Sequence, residues 1–336
     1  DTPYVVTADG VSVPAEVFEG RLYFPVTCPP ASAETLLLEP NRNPASDLMV
    51  KAADLGTGHG RVIVSNDFYS CTLDEACGGV MTSLISKRTG LEYAADSFGA
   101  ASGQWANPKA AVPAHNAAEY IAEAKSFQRD PTTGSAVIEV LHLGPALAVA
   151  AVQARVGPSC QARQRYTFFA GADYFLLTSS LAATDGTSAE EFVVVEARFR
   201  ADGLTKIFPG FSGMDTARGK EAIHAGFRQY DATPPPLTTI FNHRDYTEAI
   251  SLIPLECTGL DRYRQGFWPA VRGKPGVCEF AEVEYISLGA GLNPSASLLV
   301  QIHPGYHLDA KRTHECRSRL FATFAPGGAA MSRPTP

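Results

Sequence analysis

The sequence predicts a mostly β protein built as a large antiparallel β-sandwich. Two observations predict it. Segments that alternate or run apolar recur between turn residues along most of the chain, whereas helical spacing is confined to two short windows. The 29 glycines and 24 prolines of the 336 residues are spread along the chain, as many turns between short strands require. A composition of 45% hydrophobic and 19% charged residues supports a large buried core, and the length suits one large β domain or two ordinary ones.

Strand patterns appear in order at "GRLYFPVTCP" (20–29), "GRVIVSNDFYSCTL" (60–73), "SAVIEVLHLG" (135–144) and the apolar run "GPALAVAAVQARVG" (144–157). They continue at "CQARQRYTFFAG" (160–171), "DYFLLTSSLAAT" (173–184), "EFVVVEARFRADG" (191–203), "AISLIPLEC" (249–257), "CEFAEVEYISLG" (278–289), "PSASLLVQIHPG" (294–305) and "RSRLFATFAPG" (317–327). Alternation is sharpest over 160–184, where Arg163, Arg165 and Thr167 face one side and Gln164, Tyr166 and Phe168 the other. The turn "AGAD" (170–173) then folds a hairpin partner back with Tyr174 and Leu176. A single helical turn fits "PASAETLLLEP" (30–40), and a helix capped by Asn116 fits "NAAEYIAEAKSF" (116–127). No repeat at a fixed period points to a propeller or solenoid.

The net charge is −7 and no Lys/Arg-rich run occurs, so nucleic acid is excluded as a partner. No segment reaches the ~20 apolar residues of a membrane helix. None of the seven cysteines forms a Cys-x-x-Cys pair or stands at zinc-finger spacing from histidine, so no metal is expected. His303 and His307 are four apart, but Pro304 and Gly305 between them make a turn rather than a helical ligand pair. No cofactor motif is found. Two local cysteine pairs suit disulfides: Cys71 with Cys77 across "TLDEA", and Cys257 with Cys278 across an Arg- and Tyr-rich loop. An oxidising compartment follows from that reading, and no N-glycosylation acceptor is present, which together suggest a secreted or periplasmic bacterial chain. The first residues, "DTPYVVTADG", lack the regions of a signal peptide, as in a mature chain or a piece of a longer precursor.

The stretch "SNDFYSCTLDEACGGVMTSLISKRTGLEY" resembles a phrase of the carboxy-terminal β region of glycoside hydrolase family 38, the α-mannosidases. Asn66, Phe68, Tyr69, Gly79, Ser83, Leu84, Lys87, Arg88, Gly90 and Glu92 stand in the matching places. "ADGVSVPAEVFEGRLYFPVTCPPASAETLLLEP" (8–40) resembles the small sandwich that precedes this phrase, and "ASGQWANP" (101–108) a stretch that follows it. Related wording occurs in galactose-mutarotase-like supersandwich domains, including those of polysaccharide lyases. The resemblance implies a small β portion over residues 1–58 and a β-supersandwich over 59–336, working on carbohydrate. It also implies that the family's zinc ligands and nucleophilic aspartate, which belong to an amino-terminal α/β domain, are not in these residues. A separate catalytic chain or a homo-oligomer is then a candidate partner. The alternatives are a stand-alone lyase or aldose mutarotase on the same fold, and a glycan-binding module without chemistry.

Candidate chemistry gathers in the last third. "FNHRDYTE" (241–248) supplies His243, Arg244 and Tyr246, "LDRYRQGFWPAVRGKPG" (260–276) supplies Arg264 and Trp268, and "QIHPGYHLDAKRTHE" (301–315) supplies Tyr306 and His307. A lyase needs a Tyr or His base and a cation on the uronate, and a mutarotase needs a histidine opposite a carboxylate, for which His243 with Glu282 or Glu284 could serve. His243, Tyr246 and His307 are therefore the catalytic candidates, and Arg244, Arg264, Trp268 and Tyr306 the sugar-binding ones. As loops or strand ends, the three segments are expected to converge on one surface, with Trp268 as a stacking platform. Arg88 is expected to hold its turn rather than touch ligand.

Overall fold

Side chains alternate across 161–168 as the sequence pattern requires: Ala162, Gln164, Tyr166 and Phe168 are buried and Arg163 is exposed. The same rule repeated over many strands builds the molecule. The computed structural model describes residues 4–8, 11–24, 37–40, 45–56, 60–100, 136–156, 160–183, 192–200, 204–209, 217–218, 228–230, 239–243, 247–260, 262–269, 278–287 and 293–304.

In chain order the strands are β1 (Tyr4–Ala8), β2 (Val11–Phe18), β3 (Arg21–Tyr23), β4 (Leu37–Pro40), β5 (Met49–Ala53), β6 (Arg61–Ser65), β7 (Tyr69–Asp74) and β8 (Val80–Ser86). Next come β9 (Ala94–Ala100), β10 (Val137–Leu143), β11 (Leu147–Val156), β12 (Cys160–Phe169), β13 (Tyr174–Ala183), β14 (Phe192–Arg200) and β15 (Leu204–Pro209). The last are β16 (Ala217–Arg218), β17 (Arg228–Tyr230), β18 (Thr239–His243), β19 (Glu248–Thr258), β20 (Arg262–Pro269), β21 (Cys278–Ser287) and β22 (Ser295–Pro304). A 3-10 turn, Glu75–Cys77, is the one helical element among the described residues. Residues 37–40 of the "PASAETLLLEP" window are strand rather than helical turn, because they complete the edge of a sheet against β1. The helix expected at 116–127 and the strand expected at 317–327 lie outside the described residues.

Among the described residues, two nine-stranded antiparallel sheets make the sandwich. One runs β10-β11-β12-β13-β22-β19-β18-β15-β16, the other β17-β20-β21-β14-β9-β8-β7-β6-β5. Their facing sides share one core: Val62, Val64, Tyr69, Leu73 and Leu84 from the second meet Tyr166, Phe168, Phe175, Leu298 and Val300 from the first. Burying a side chain of this size stabilises by about 1.5–3 kcal/mol, so this layer dominates folding. Gly79 opens β8 at φ 76°, and a Cβ there would overlap Val152 Cγ1, so glycine is what lets the two sheets close at this corner.

The resembling phrase is scaffold. Asn66 is fully buried; its amide nitrogen donates to Phe169 O (3.0 Å) and Ala172 O (2.8 Å) of the opposite sheet's hairpin, while its oxygen accepts from the Phe68 and Tyr69 amides. Glu92 accepts from Ser83 Oγ and from the Leu84 and Ala94 amides, tying the 87–90 turn to β8. Each satisfies buried groups that would otherwise be costly to bury.

The four-stranded sheet β3-β2-β1-β4 docks on the outside of the first large sheet. Its Glu16 carboxylate is buried against the β10–β11 turn and accepts from His142 Nε2 (2.8 Å) and the Ala146 amide (3.0 Å). A Cβ on Gly144 would collide with that carboxylate, so the turn is shaped around it. Phe18 stacks on His142 with centroids 4.3 Å apart, and Arg165 lies over Phe18 while pairing with Glu19. β5, within the 1–58 stretch, is already a strand of the large sheet, paired with β6.

Neither expected disulfide forms. Cys71 is an inward position of β7, fully buried with its thiol pushed up by burial, whereas Cys77 is exposed at the end of the 3-10 turn. The intervening loop is held by polar groups instead: Asp74 caps the turn through the Ala76 amide and pairs with Arg61, and Glu75 accepts from the Gly56, Gly60 and Ile138 amides. Cys257, on β19, carries no disulfide. The oxidising compartment read from those pairs draws no support from them.

Candidate functional site

Two polar clusters meet where the 87–90 turn reaches the ends of β19 and β22, on opposite sides of the same sheet. On the inner side, Glu248 begins β19 with 1% exposure. Its Oε2 accepts from Ser86 Oγ (2.7 Å) and from Arg88 Nη2 (2.7 Å) and Nε (3.2 Å). Its Oε1 accepts from Tyr93 Oη (2.7 Å) and Thr89 Oγ1 (2.9 Å). Burial pushes this carboxyl up, but the four donor side chains outweigh it and hold the group below the usual carboxylate range. Tyr93 is pushed well above a phenol's ordinary value by burial and by this carboxylate. A carboxylate so fully engaged clamps one sheet to the other and leaves no lone pair for a ligand.

The outer side differs. Ala296, Leu298, Val300 and Ile302 enter the core between the sheets, while Leu299 packs with Ile253 on the outer face, so alternation puts Ser297, Gln301 and His303 outside as well. Gln301 sits between Tyr174 of β13 and Ser251 of β19 in register. Its Nε2 donates to both oxygens of Asp173, at 3.1 and 3.2 Å. Ser251 Oγ and His303 Nε2 are 2.6 Å apart. Gln301 Oε1 is buried and finds no donor among the described residues. Asp173, Tyr174, Gln301 and His303 are half-buried and Ser251 is buried, so the outer cluster is partly withdrawn from solvent.

Burial raises the Asp173 carboxyl above its usual range, against the opposing pull of the Gln301 amide and the Arg88 charge. Burial and the neighbouring Asp173 push the Tyr174 hydroxyl up to about 12, so it is a neutral donor at neutral pH. Arg88 links the clusters, its Nη2 also donating to His303 O at 3.3 Å. The outer cluster therefore brings together an amide acceptor, a carboxyl raised by burial, a phenol, a hydroxyl and an imidazole at the ends of three adjacent strands. Among the described residues no group of three or more His, Cys, Asp or Glu is set for a metal ion, and no helix is long and apolar enough to cross a membrane.

Of the site residues expected from sequence, His243 ends β18 in the first large sheet, while Arg264 and Trp268 lie within β20 of the second, in register with Glu284 and Phe280. The segment at 262–269 is thus an eight-residue strand rather than a loop, and its strand lies in a different sheet from that of His243. The side chains of these three, and all of Arg244, Tyr246, Tyr306 and His307, lie outside the described residues. Sequence reasoning passed over Asp173, Tyr174, Ser251 and Gln301 as site residues, and counted His303 among the polar groups of the 301–315 segment without making it a candidate. The signal available was small: three polar residues, Ser297, Gln301 and His303, at outward positions of the otherwise apolar run "ASLLVQIHP", and the acid of "AGAD".

No family model matches the chain, and neither does any curated protein. Solved structures are similar at low identity. A mutant of heparan sulfate lyase from Pedobacter heparinus matches with a TM-score of 0.44 and 12% identity, over 79% of this chain and 38% of that one. A TPR-domain containing protein from Parabacteroides distasonis matches with a TM-score of 0.45 and 9% identity, over 86% of this chain and 56% of that one. Galactose 1-epimerase from Lactobacillus acidophilus matches with a TM-score of 0.45 and 6% identity, over 78% of this chain and 100% of that one. The chain thus spans about two fifths of the lyase and just over half of the TPR-domain protein.

Proposed function

We propose that this chain is the β-sandwich of a carbohydrate-active protein and that the outer cluster at β13, β22 and β19 binds a sugar. The observation that carries the reading is the buried Gln301 Oε1 without a donor, set among Asp173, Tyr174, Ser251 and His303. A buried acceptor without a donor is costly unless a ligand completes it, and a sugar hydroxyl is a donor that could do so. The family 38 resemblance supports the sugar class and agrees with the scaffold roles of Asn66, Arg88 and Glu92, which leave those residues no share in a reaction. In this reading the chain is the β portion of an α-mannosidase-like hydrolase, with the hydrolytic groups carried by another segment or chain.

One observation favours a second reading, a stand-alone mutarotase or lyase. The outer cluster holds both a carboxyl raised by burial, Asp173, and an imidazole, His303, the two group types that acid–base chemistry uses.

Calorimetric titration of the full chain with D-mannose and D-galactose tests the proposal. Binding at ~1 mM or tighter by one of them, weakened at least tenfold in His303→Ala, supports it. Absence of binding by both, or an unchanged affinity in the variant, overturns it. Turnover of the bound sugar by the isolated chain would select the second reading.

A further inference from the structure

The polar groups of the outer cluster are short of donors. The Asp173 carboxylate accepts through both oxygens, and among the described residues it receives only the Gln301 Nε2 amide, at 3.1 and 3.2 Å, and its own backbone N–H. That contact fixes the Gln301 amide, because turning it over would set Oε1 against the carboxylate, so Oε1 is the atom left buried without a donor. The Ser251 hydroxyl and His303 Nε2 engage each other at 2.6 Å. Arg88, whose charge reaches Asp173, is committed to Glu248 by two hydrogen bonds. Asp47 places a further carboxylate on the 170–173 turn, where it accepts from the Gly171 amide at 2.8 Å. Asp173 therefore holds a half-buried carboxylate with no ion-pair partner among the described residues, beside an amide oxygen that is still unused.

We infer that the outer cluster selects an amino sugar, whose ammonium group is received by Asp173 and by Gln301 Oε1. The inference rests on the proposed sugar site and names its substrate class. A sugar hydroxyl donates one hydrogen and carries no charge, so it leaves the carboxylate uncompensated. An ammonium donates through three hydrogens and carries a full positive charge. The Gln301 amide holds its open oxygen next to the nitrogen that bonds Asp173, so a single ammonium can answer both acceptors. Half-burial sharpens the choice, because a charge withdrawn from water is costly alone and favourable once paired and hydrogen-bonded. The burial that raises the Asp173 carboxyl is the same cost that an arriving cation would offset. A uronic acid would do the reverse, setting a third carboxylate beside Asp173 and Asp47.

Calorimetry on the full chain at neutral pH tests this with D-mannose, D-mannosamine and N-acetyl-D-mannosamine, and with D-galactose, D-galactosamine and D-galacturonate. At least one amino sugar is expected to bind at least tenfold tighter than its parent, and N-acetylation, which removes the charge, to abolish the gain. Galacturonate is expected to bind no better than galactose. In Asp173→Asn the ratio of amino-sugar to parent affinity is expected to fall to within about twofold of unity, with thermal unfolding showing that the fold is kept. If a parent sugar binds and neither amine improves on it, the amino-sugar class is overturned and the sugar site stands. The same holds if the N-acetyl form keeps the gain, if galacturonate outbinds galactosamine, or if the gain persists in Asp173→Asn. If none of these sugars binds, the class and the site fall together.

Discussion

Glu248 and Gln301 occupy adjacent strands at the same end of one sheet, yet their polar atoms are treated in opposite ways. Glu248 receives five hydrogen bonds from four side chains, and its charge is matched by Arg88. Gln301 spends its nitrogen on Asp173 and leaves its oxygen without a donor. A saturated network contributes to stability and specifies one arrangement; an unsaturated one stores a penalty that a ligand can relieve. The difference teaches where structure ends and function begins in this molecule: among the described residues, the buried carboxylate on the inner face is saturated and the buried amide oxygen on the outer face has no donor.

The largest expected effect comes from breaking the saturated side. Glu248→Ala strands the buried hydroxyls of Ser86 and Tyr93 and leaves the half-exposed Arg88 without its counter-ion. A loss of about 3–5 kcal/mol is expected, measured by chemical denaturation, because the buried Ser86 and Tyr93 hydroxyls each lose their acceptor and a cavity is left between the sheets. A loss under about 1 kcal/mol would show that the cluster is not the clamp described. Arg88→Ala is milder, since the guanidinium is 40% exposed and water can replace it. It should cost about 1 kcal/mol and shift sugar affinity by no more than about twofold. A large affinity loss at unchanged stability would move Arg88 from the scaffold into the site.

The smallest effect is a pH signature that separates the two carboxyls. The Glu248 value is lowered in the fold, so its contribution is present above the ordinary glutamate range and is lost as pH falls through the lowered value. The Asp173 value is raised, so its contribution is full below the ordinary aspartate range and is lost as pH rises through the raised value. On lowering the pH the stability profile should therefore carry a rise from Asp173 and a fall from Glu248. Asp173→Asn should abolish the rise and keep the fall. A wild-type profile without the rise, or a rise that persists in Asp173→Asn, would contradict the assignment.

Much of the fold was legible because alternation is a local signal. The pattern at 160–184 gave the β12–β13 hairpin with the correct inward set, and "SLLVQIH" gave β22. The phrase around Asn66 and Arg88 was legible as scaffold, and the structure adds the distant partners, Phe169, Ala172 and Glu248, that no short-range pattern names. The β20 strand was hidden by its arginines, which read as loop chemistry although the run pairs along β21. The cysteine spacing misled because strand alternation turned Cys71 inward, and spacing along the chain does not report direction. The outer cluster was illegible for the same reason: Asp173, Ser251 and Gln301 become neighbours only when β13, β22 and β19 align, across 128 residues in the case of Asp173 and Gln301.

The most direct test of the contrast is Gln301→Leu, read for both stability and ligand. The substitution removes the two weak bonds to Asp173 together with the buried acceptor that has no donor, and these nearly offset. The expected result is unfolding stability within about 1 kcal/mol of the parent, far less than the Glu248→Ala loss, with sugar affinity down at least tenfold, or ~1.4 kcal/mol. A stability loss as large as that of Glu248→Ala with sugar affinity intact would contradict the account, because Gln301 would then be one more member of the clamp.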